Sequence, residues 1–295
     1  MNLSIIIPAK NEAENLALLL PKIRKLYPEA ELIVVDDGSS DGTGDTARAN
    51  GAICIRHHYS LGNGAAVKSG ARAAKGKLLV FLDGDGQHDP EDIERLLEHK
   101  KKGLSMVIGA RNNKSQASFF RLVANKGYNK LASIMTGRQI MDLTSGFRVV
   151  DAKKFRQFLY LLPNGFSYPT TITMAFMRNG YAIDYVPIST FKREGASKIS
   201  IWKDGVRFLL IIMKIGSLFS PMRLFLPISV FLFLTGISYY AYTYFLYERF
   251  TNMSALFLTS SLLVFLIGIV SEQISSLHYR NIDNDKFIGQ DQDDL

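Results

Sequence analysis

The chain has one cysteine and one tryptophan in 295 residues. A single thiol excludes an internal disulfide, and the place of Cys54 in the apolar run Ala52–Ile55 is that expected of an inert, buried side chain. Internal repeats and low-complexity segments are missing, so nothing points to a structural array. No signal peptide is expected, because the apolar stretch Leu3–Ile7 is short and runs into Pro8. Charge is missing from two long stretches, Leu224–Tyr247 and Phe250–Ser271, interrupted only by Glu248 and Arg249. Each exceeds the roughly 20 residues that a helix needs to cross a bilayer, so a transmembrane hairpin is expected. The alternative, two buried helices of a large soluble core, fits poorly with apolar character on every helix face.

The hydrophobic share of 47% leaves material for one sizeable globular core ahead of that hairpin. Between them, Ile199–Ser220 mixes Trp202, Phe208, Leu209, Ile211 and Ile212 with Lys203, Arg207 and Lys214, a composition suited to helices lying along a membrane surface. The expected organisation is a globular domain over 1–198, juxtamembrane amphipathic helices over 199–222, a hairpin over 223–275 and a polar tail over 276–295. That tail is expected to be disordered from Asn281 to Leu295. The basic residues Lys203, Arg207, Lys214, Arg223, His278 and Arg280 flank one side of the hairpin, which by the positive-inside rule is cytoplasmic. A multi-pass membrane protein with its globular domain in the cytosol is therefore expected. The formal net charge of +8 suits anionic lipid and phosphate ligands without singling out nucleic acid, and no nucleic-acid partner is expected. Self-association into a homo-oligomer is left open.

Short β-rich runs alternate with helical patterns through the first hundred residues. Leu3–Ile7 precedes a helix over about Glu12–Leu26, and Leu32–Val35 precedes one after Gly42. Ala52–Ile55 is followed by Ala65–Ala74, and Leu78–Leu82 by a helix opening at Pro90. This rhythm predicts an α/β fold with a parallel sheet covered on both faces. Ligands of such sheets bind beyond the carboxyl ends of the strands. Those ends read Pro8-Ala9-Lys10-Asn11-Glu12, Asp36-Asp37-Gly38-Ser39-Ser40-Asp41-Gly42-Thr43 and Asp83-Gly84-Asp85-Gly86-Gln87. Each alone is also explained as a capped turn. Together they would converge on one polar, mostly acidic rim.

In an extended chain Asp83, Asp85 and Gln87 would point oxygens to one side. Oxygen-only donors suit Mg2+ or Mn2+, with substrate phosphates completing the shell. Gly84 and Gly86 leave the backbone open to a close ligand.

At this point the chain resembles the family 2 glycosyltransferases, and more narrowly the polyprenyl-phosphate group that contains dolichol-phosphate mannose synthase. The resemblance is carried by IIIPAKNEAEN, VVDDGSSDGT, LGNGAAVKSGARAAKG, FLDGDGQHDP, IGAR, DLTSGFR and FKREGASK, in the family's order across residues 3 to 198. It implies the GT-A nucleotide-diphospho-sugar transferase fold, a Rossmann-like mixed sheet, followed by an interfacial helix and a transmembrane hairpin. It also implies transfer of a hexose from a UDP- or GDP-sugar to a polyprenyl phosphate. Pro8, Ala9, Asn11 and Glu12 would border the base, with Asp37 near base or ribose. Asp83 and Gly84 would lie by the ribose and diphosphate, and Asp85, Gln87 and Asp83 would hold Mg2+ or Mn2+. Arg111, Arg121, Arg193 and Lys198 match phosphate-handling positions, Arg111 and Arg121 with Ser145 toward the acceptor phosphate and Lys198 toward the donor. Asp142 would orient sugar or acceptor; its alternative is a turn-stabilising aspartate. Asp85, Arg111, Asp142 and Arg193 are the expected catalytic set.

A phosphate acceptor is already an oxyanion near neutral pH, because its second ionisation lies at about pKa 6. No strong general base is then needed, and direct displacement with inversion is expected, the metal and the basic cluster stabilising the departing diphosphate. One departure fits this: FSYPTTIT, residues 166–173, lacks the acid many relatives carry there. The Gln-x-x-Arg-Trp signature of processive relatives is also missing, which disfavours a polysaccharide synthase. The competing readings are a transferase with a hydroxyl acceptor and a non-catalytic nucleotide-binding membrane scaffold.

Overall fold

The computed structural model describes residues 3–111, 119–165, 168–189, 216–217 and 219–288, and side chains for all of these except 119–126, 131 and 278–288. The chain divides into two compact units, 1–198 and 199–295.

The first unit is built on a seven-stranded sheet in the order β3-β2-β1-β4-β6-β5-β7. β1 (Leu3–Ala9) is buried along its whole length and lies between β2 (Glu31–Asp36) and β4 (Leu78–Phe81), parallel to both. A strand covered on both faces needs a continuous apolar run rather than alternation, which LSIIIPA supplies. Ile5 and Ile7 face one core, shared with Leu16 and Leu20 of α1 (Ala13–Leu26) and Ile93 and Leu96 of α4 (Asp92–Lys100). Ile6 faces the other way, against Gly70 of α3 (Asn63–Ala73). β3 (Ile53–Arg56) closes one edge, preceded by α2 (Thr43–Ala49). Cys54 sits on this edge strand and is half-buried rather than buried as expected, since an edge strand has a neighbour on one side only.

The first four strands are parallel, as their rhythm predicts, and the other half of the sheet supplies the mixed character that the family resemblance implies. β6 (Arg148–Asp151) runs antiparallel to both β4 and β5 (Met106–Arg111), and β7 (Ile183–Ile188) pairs parallel with β5. The sheet is therefore mixed. Because β6 is reversed, it begins where β4 and β5 end, so Arg148 pairs with Phe81 and with Ile108. α5 (Phe119–Thr136) follows β5, α6 (Ala152–Arg156) follows β6, and α7 (Tyr168–Arg178) leads into β7. The sheet thus presents one rim to which β1, β2, β4, β5 and β7 deliver their carboxyl ends and β6 its amino end.

In the second unit, α8 (Pro221–Tyr247) and α9 (Asn252–Ile288) form an antiparallel pair. Both are long and apolar enough to cross a bilayer, with mean hydropathies of 1.8 and 2.3, and only 11% and 17% of their apolar windows are buried inside the protein. The helices meet through small and polar residues, as lipid-immersed helices do. Ser229 Oγ donates to the Ser261 carbonyl at 3.0 Å and Ser261 Oγ donates back at 3.0 Å. Gly236 admits Phe257 and Leu258, and Gly268 admits Phe225. Rings of Tyr240, Tyr244 and Phe250 gather at the turn, where Glu248 adopts a left-handed conformation. α9 continues to Ile288, so residues 281–288 are helical rather than disordered as expected; extending an existing helix costs far less than starting one. The expected juxtamembrane helices, with Trp202, Lys203, Arg207 and Lys214, lie almost entirely outside the described residues.

The start of α3 is clamped by a loop from much later in the chain. Ala65 N–H donates to the Asn164 carbonyl at 3.1 Å, and Lys68 Nζ donates to the Leu162 carbonyl at 3.0 Å. Gly64 permits this, because a Cβ there would fall 2.0 Å from the Pro163 carbonyl oxygen. Gly64→Ala is expected to force the loop off the helix and destabilise the unit by about 1–3 kcal/mol, as overpacking does. A thermal melt of the detergent-solubilised chain should then show a midpoint lower by roughly 5 °C; an unchanged midpoint would contradict this account of the contact.

Candidate active site

A cavity of about 440 Å3 opens at this rim. Pro8, Ala9, Lys10 and Glu12 line it from the end of β1, Asp37 from the end of β2, and Asp83, Gly84 and Asp85 from the end of β4. Ser60, Gly62, Asn63 and Ala66 come from the start of α3 and the loop before it, Thr144 and Gly146 from the approach to β6, and Tyr168 and Pro169 from the start of α7.

The β1 and β2 tips are stitched together by local hydrogen bonds. Asn11, left-handed at φ 55°, donates its N–H to Ser39 Oγ at 3.0 Å, and its amide oxygen accepts from Ser40 N–H at 3.0 Å. Asn11 is thus committed to holding the two loops in register and is not on the cavity lining. Glu12 N–H donates to Thr43 Oγ1 at 3.0 Å, and Ala13 N–H to Asp41 Oδ2 at 3.0 Å.

Asp37 is 4% exposed and saturated. Its Oδ1 meets His57 Nδ1 at 2.7 Å and the Leu61 N–H at 2.8 Å, while Oδ2 accepts from Ser60 Oγ at 2.7 Å and the Gly62 N–H at 2.9 Å. Burial pushes this carboxyl up, but those donors outweigh it and hold it below the usual carboxylate range. His57 is fixed in turn, its Nε2 lying 2.9 Å from Ser69 Oγ of α3. Asp37 therefore shapes the 57–62 loop as part of the cavity wall.

The Asp83–Gln87 segment is a turn and not the extended run expected. Gly86 sits at φ 71°, and Gln87 N–H folds back onto Asp85 Oδ1 at 3.2 Å. Gln87 is consequently absent from the lining, whereas Asp83 and Asp85 both face the cavity. Asp83 lies against the backbone of Gly146, where a Cβ would meet its Oδ2 at 2.8 Å. His88, packed on Phe147, places Nε2 3.8 Å from the same oxygen.

Among the described residues, four carboxylates, of Glu12, Asp37, Asp83 and Asp85, share this lining with one basic side chain, that of Lys10. Among the described residues no group of three or more His, Cys, Asp or Glu side chains forms a cage for a metal. The donor set of Asp83 and Asp85 is nevertheless that of a hard cation which takes one or two carboxylates and fills its remaining positions with ligand oxygens and water. The residues present fit Mg2+ or Mn2+ on that basis.

Beyond the lining, Arg111 at the end of β5 forms a two-pronged pair with Asp142, Nε to Oδ2 at 2.8 Å and Nη2 to Oδ1 at 3.0 Å. Arg111 N–H adds a bond to Oδ2 at 3.2 Å, and Thr144 N–H one to Oδ1 at 3.1 Å. Arg111 Nη2 also donates to Thr144 Oγ1 at 2.5 Å, which links the pair to the lining. Burial acts against the charge on both partners, yet their mutual bonds dominate: Asp142 is held below its ordinary range and Arg111 above its own. Asp142, expected to touch sugar or acceptor, is 6% exposed with its oxygens engaged, so it orients Arg111. Ser145, expected at the acceptor phosphate, is 1% exposed and off the lining. The side chain of Arg121, and Arg193 and Lys198 altogether, lie outside the described residues.

Tyr168 and Pro169 were not anticipated as wall residues. The signal was present, since YPTT occupies the place where an acid was missed, but its aromatic ring was not read as lining. Ser60, Gly62, Asn63, Thr144 and Gly146 are further wall residues that sequence reasoning does not single out, although all but Ser60 lie within LGNGAAVKSGARAAKG and DLTSGFR.

Residues 4–159 match the model of glycosyl transferase family 2, and residues 220–277 match that of the GtrB C-terminal hairpin. The polyprenol monophosphomannose synthase of Mycolicibacterium smegmatis is 32% identical over 212 residues, covering 66% of this chain and 80% of that protein. The undecaprenyl-phosphate mannosyltransferase of Micrococcus luteus is 34% identical over 215 residues, covering 68% and 88%. Among solved structures, glucosyl-3-phosphoglycerate synthase from Mycobacterium tuberculosis, in complex with Mn2+, UDP-glucose and phosphoglyceric acid, superposes with a TM-score of 0.59 at 20% identity over 73% of this chain and 78% of that one. That likeness shows the GT-A-type mixed α/β fold. With a matched family model across the catalytic unit and a matched hairpin after it, the chain belongs to glycosyl transferase family 2, in the group of polyprenyl-phosphate glycosyltransferases.

Proposed function

We propose that the protein moves a hexose from a UDP- or GDP-linked donor to a polyprenyl phosphate at the cytoplasmic face of a membrane, with inversion at the anomeric carbon. The observation that carries this reading is the rim cavity itself: an oxygen-rich pocket with Asp83 and Asp85 on its lining and the Arg111–Asp142 pair at its border. The names of the M. smegmatis and M. luteus relatives supply the lipid phosphate as acceptor class. The hairpin supports a multi-pass membrane protein, since the acceptor's prenyl tail stays in the bilayer.

Asp85 and Asp83, with Gln87, would hold Mg2+ or Mn2+, which when bound offsets the charge of the departing diphosphate. The remaining work falls to the chain. The β1 and β2 tips, with Pro8, Ala9, Glu12 and the loop held by Asp37, form the wall for the nucleotide. Arg111, pre-oriented by Asp142, presents a fixed guanidinium to a phosphate, and Arg121, Arg193 and Lys198, by their match to the family's phosphate-handling positions, would add positive charge. The acceptor oxyanion attacks without prior proton removal, so a base near Tyr168 is not needed.

The direct test is incubation of the purified chain with a panel of UDP- and GDP-sugars, Mg2+ or Mn2+, and undecaprenyl or dolichyl phosphate. A lipid product heavier by one hexose and labile to mild acid is expected, because a glycosyl phosphate hydrolyses readily; an acid-stable glycoside would show a hydroxyl acceptor instead. Asp85→Ala should abolish transfer while leaving the melting temperature within the wild-type range. Asp142→Asn keeps the shape but turns an amide N–H toward Arg111, and kcat/KM for the lipid phosphate should drop roughly 10²-fold with donor binding little altered. Wild-type turnover in either variant would remove the corresponding assignment.

A further inference from the structure

A fully buried cation lies behind one wall of the cavity. Arg148, the first residue of β6, is 0% exposed, and no carboxylate among the described residues lies within ion-pair distance of it. Its partners are neutral: besides Met106 Sδ of β5, which Nη1 meets at 3.8 Å, they come from two segments of the cavity's border. Nη2 donates to the Ser145 carbonyl, between the lining residues Thr144 and Gly146. Nη1 donates to the Pro169 carbonyl at 3.3 Å and to Thr173 Oγ1 at 3.3 Å, and Thr173 Oγ1 itself donates to Pro169 at 2.8 Å. The guanidinium carbon stands 5.8 Å from the centre of the Tyr168 ring, while Tyr168 Oη reaches the Gly146 carbonyl at 3.5 Å. One side chain therefore staples the approach to β6 onto the start of α7, and everything it staples is lining or adjoins lining.

A buried charge with only neutral acceptors is costly, and an apolar side chain of similar volume would fill the space without that cost. What an apolar residue lacks is the planar fork that reaches two carbonyls on different segments; lysine, a point donor, lacks it too. The cavity's other wall, from Pro8 to Asp37, is held by its own hydrogen bonds and receives nothing from Arg148.

We propose that Arg148 is a positioning residue that fixes the wall facing the transferred sugar, through Thr144, Gly146, Tyr168 and Pro169, and leaves the nucleotide wall independent. This rests on the cavity taking a nucleotide sugar: with the base on the β1–β2 side and the diphosphate at Asp83 and Asp85, the sugar is what remains to meet the second wall.

The test compares ligands that differ only by the sugar. Binding of UDP, GDP, UDP-glucose and GDP-mannose to the full chain in detergent with Mg2+ is measured by calorimetry for wild type, Arg148→Met, Arg148→Lys and Thr173→Val. In Arg148→Met the nucleotide diphosphate that binds wild type should keep its affinity, while its sugar conjugate weakens by about tenfold and kcat falls by about 10²-fold, as misplaced contacts cost. Arg148→Lys should recover only part of the loss. If Arg148→Met fails to fold, Thr173→Val, which removes one strut of the staple, should shift the ratio of the two affinities in the same direction. Equal weakening of diphosphate and sugar conjugate, or no change in their ratio, overturns the proposal. Wild type binding the diphosphates but neither conjugate would instead overturn the nucleotide-sugar reading beneath it.

Discussion

Strand direction at the sheet's centre governs which residues meet. β1, β2, β4 and β5 all end at one rim, and β6, running against its neighbours, begins there. That single reversal puts the Thr144–Gly146 approach beside Asp83, and places Asp142 where Arg111 emerges from β5. β7, parallel to β5, ends at the same rim. The consequence is electrostatic crowding. Two like charges 4 Å apart repel by about 1 kcal/mol in water and about 4 kcal/mol at a protein surface's effective dielectric, so a rim that gathers carboxylates is stable only if positive charge is brought among them.

The acidic residues solve this in two ways, and on the proposed function the difference separates scaffolding from chemistry. Asp37 and Asp142 are saturated with donors inside the protein, are held as anions below the usual range, and shape a loop and an arginine respectively. Asp83 and Asp85 lie on the lining and offer oxygen to what enters. An arginine whose fork is already occupied on one edge keeps its plane fixed, and a planar donor fixed before binding loses less entropy when it meets a phosphate. The Arg111–Asp142 pair is thus better understood as pre-organisation than as a stabilising ion pair, since a largely buried pair gains little net stability once desolvation is counted.

Much of this was legible in the sequence where the signal was local. β1, β2 and β4 are uninterrupted apolar runs closed by polar tips, so the strands, the rim and Asp37, Asp83 and Asp85 followed from pattern alone. β6 is four residues long and β7 carries Pro187 with a mostly half-buried face, so neither shows a period, and the reversal that completes the site stayed hidden. Gln87 and Ser145 lie off the lining for a related reason. The positive φ of Gly86 and the burial of Ser145 depend on contacts with distant segments, which spacing does not encode. Asn11 is the converse case, a polar residue in a binding motif whose amide oxygen accepts from its neighbour loop.

The membrane hairpin obeys a different rule from the catalytic unit, and the contrast bears on why one chain would contain both. In the sheet, apolar burial drives packing and polar groups are arranged around it. Between α8 and α9 lipid removes that drive, and contact relies on close approach at Gly236 and Gly268 and on the reciprocal Ser229–Ser261 bonds. The apolar faces left over are turned outward along both helices, with tyrosines and Phe250 banded at the turn as at a membrane–water boundary. On the proposed function, such an anchor confines the catalytic unit to the surface where the acceptor's phosphate emerges, so encounter becomes a search in two dimensions rather than three. Affinity for the acceptor can then reside in the bilayer, through the prenyl tail, and the protein's own contacts are free to be spent on the phosphate and the sugar.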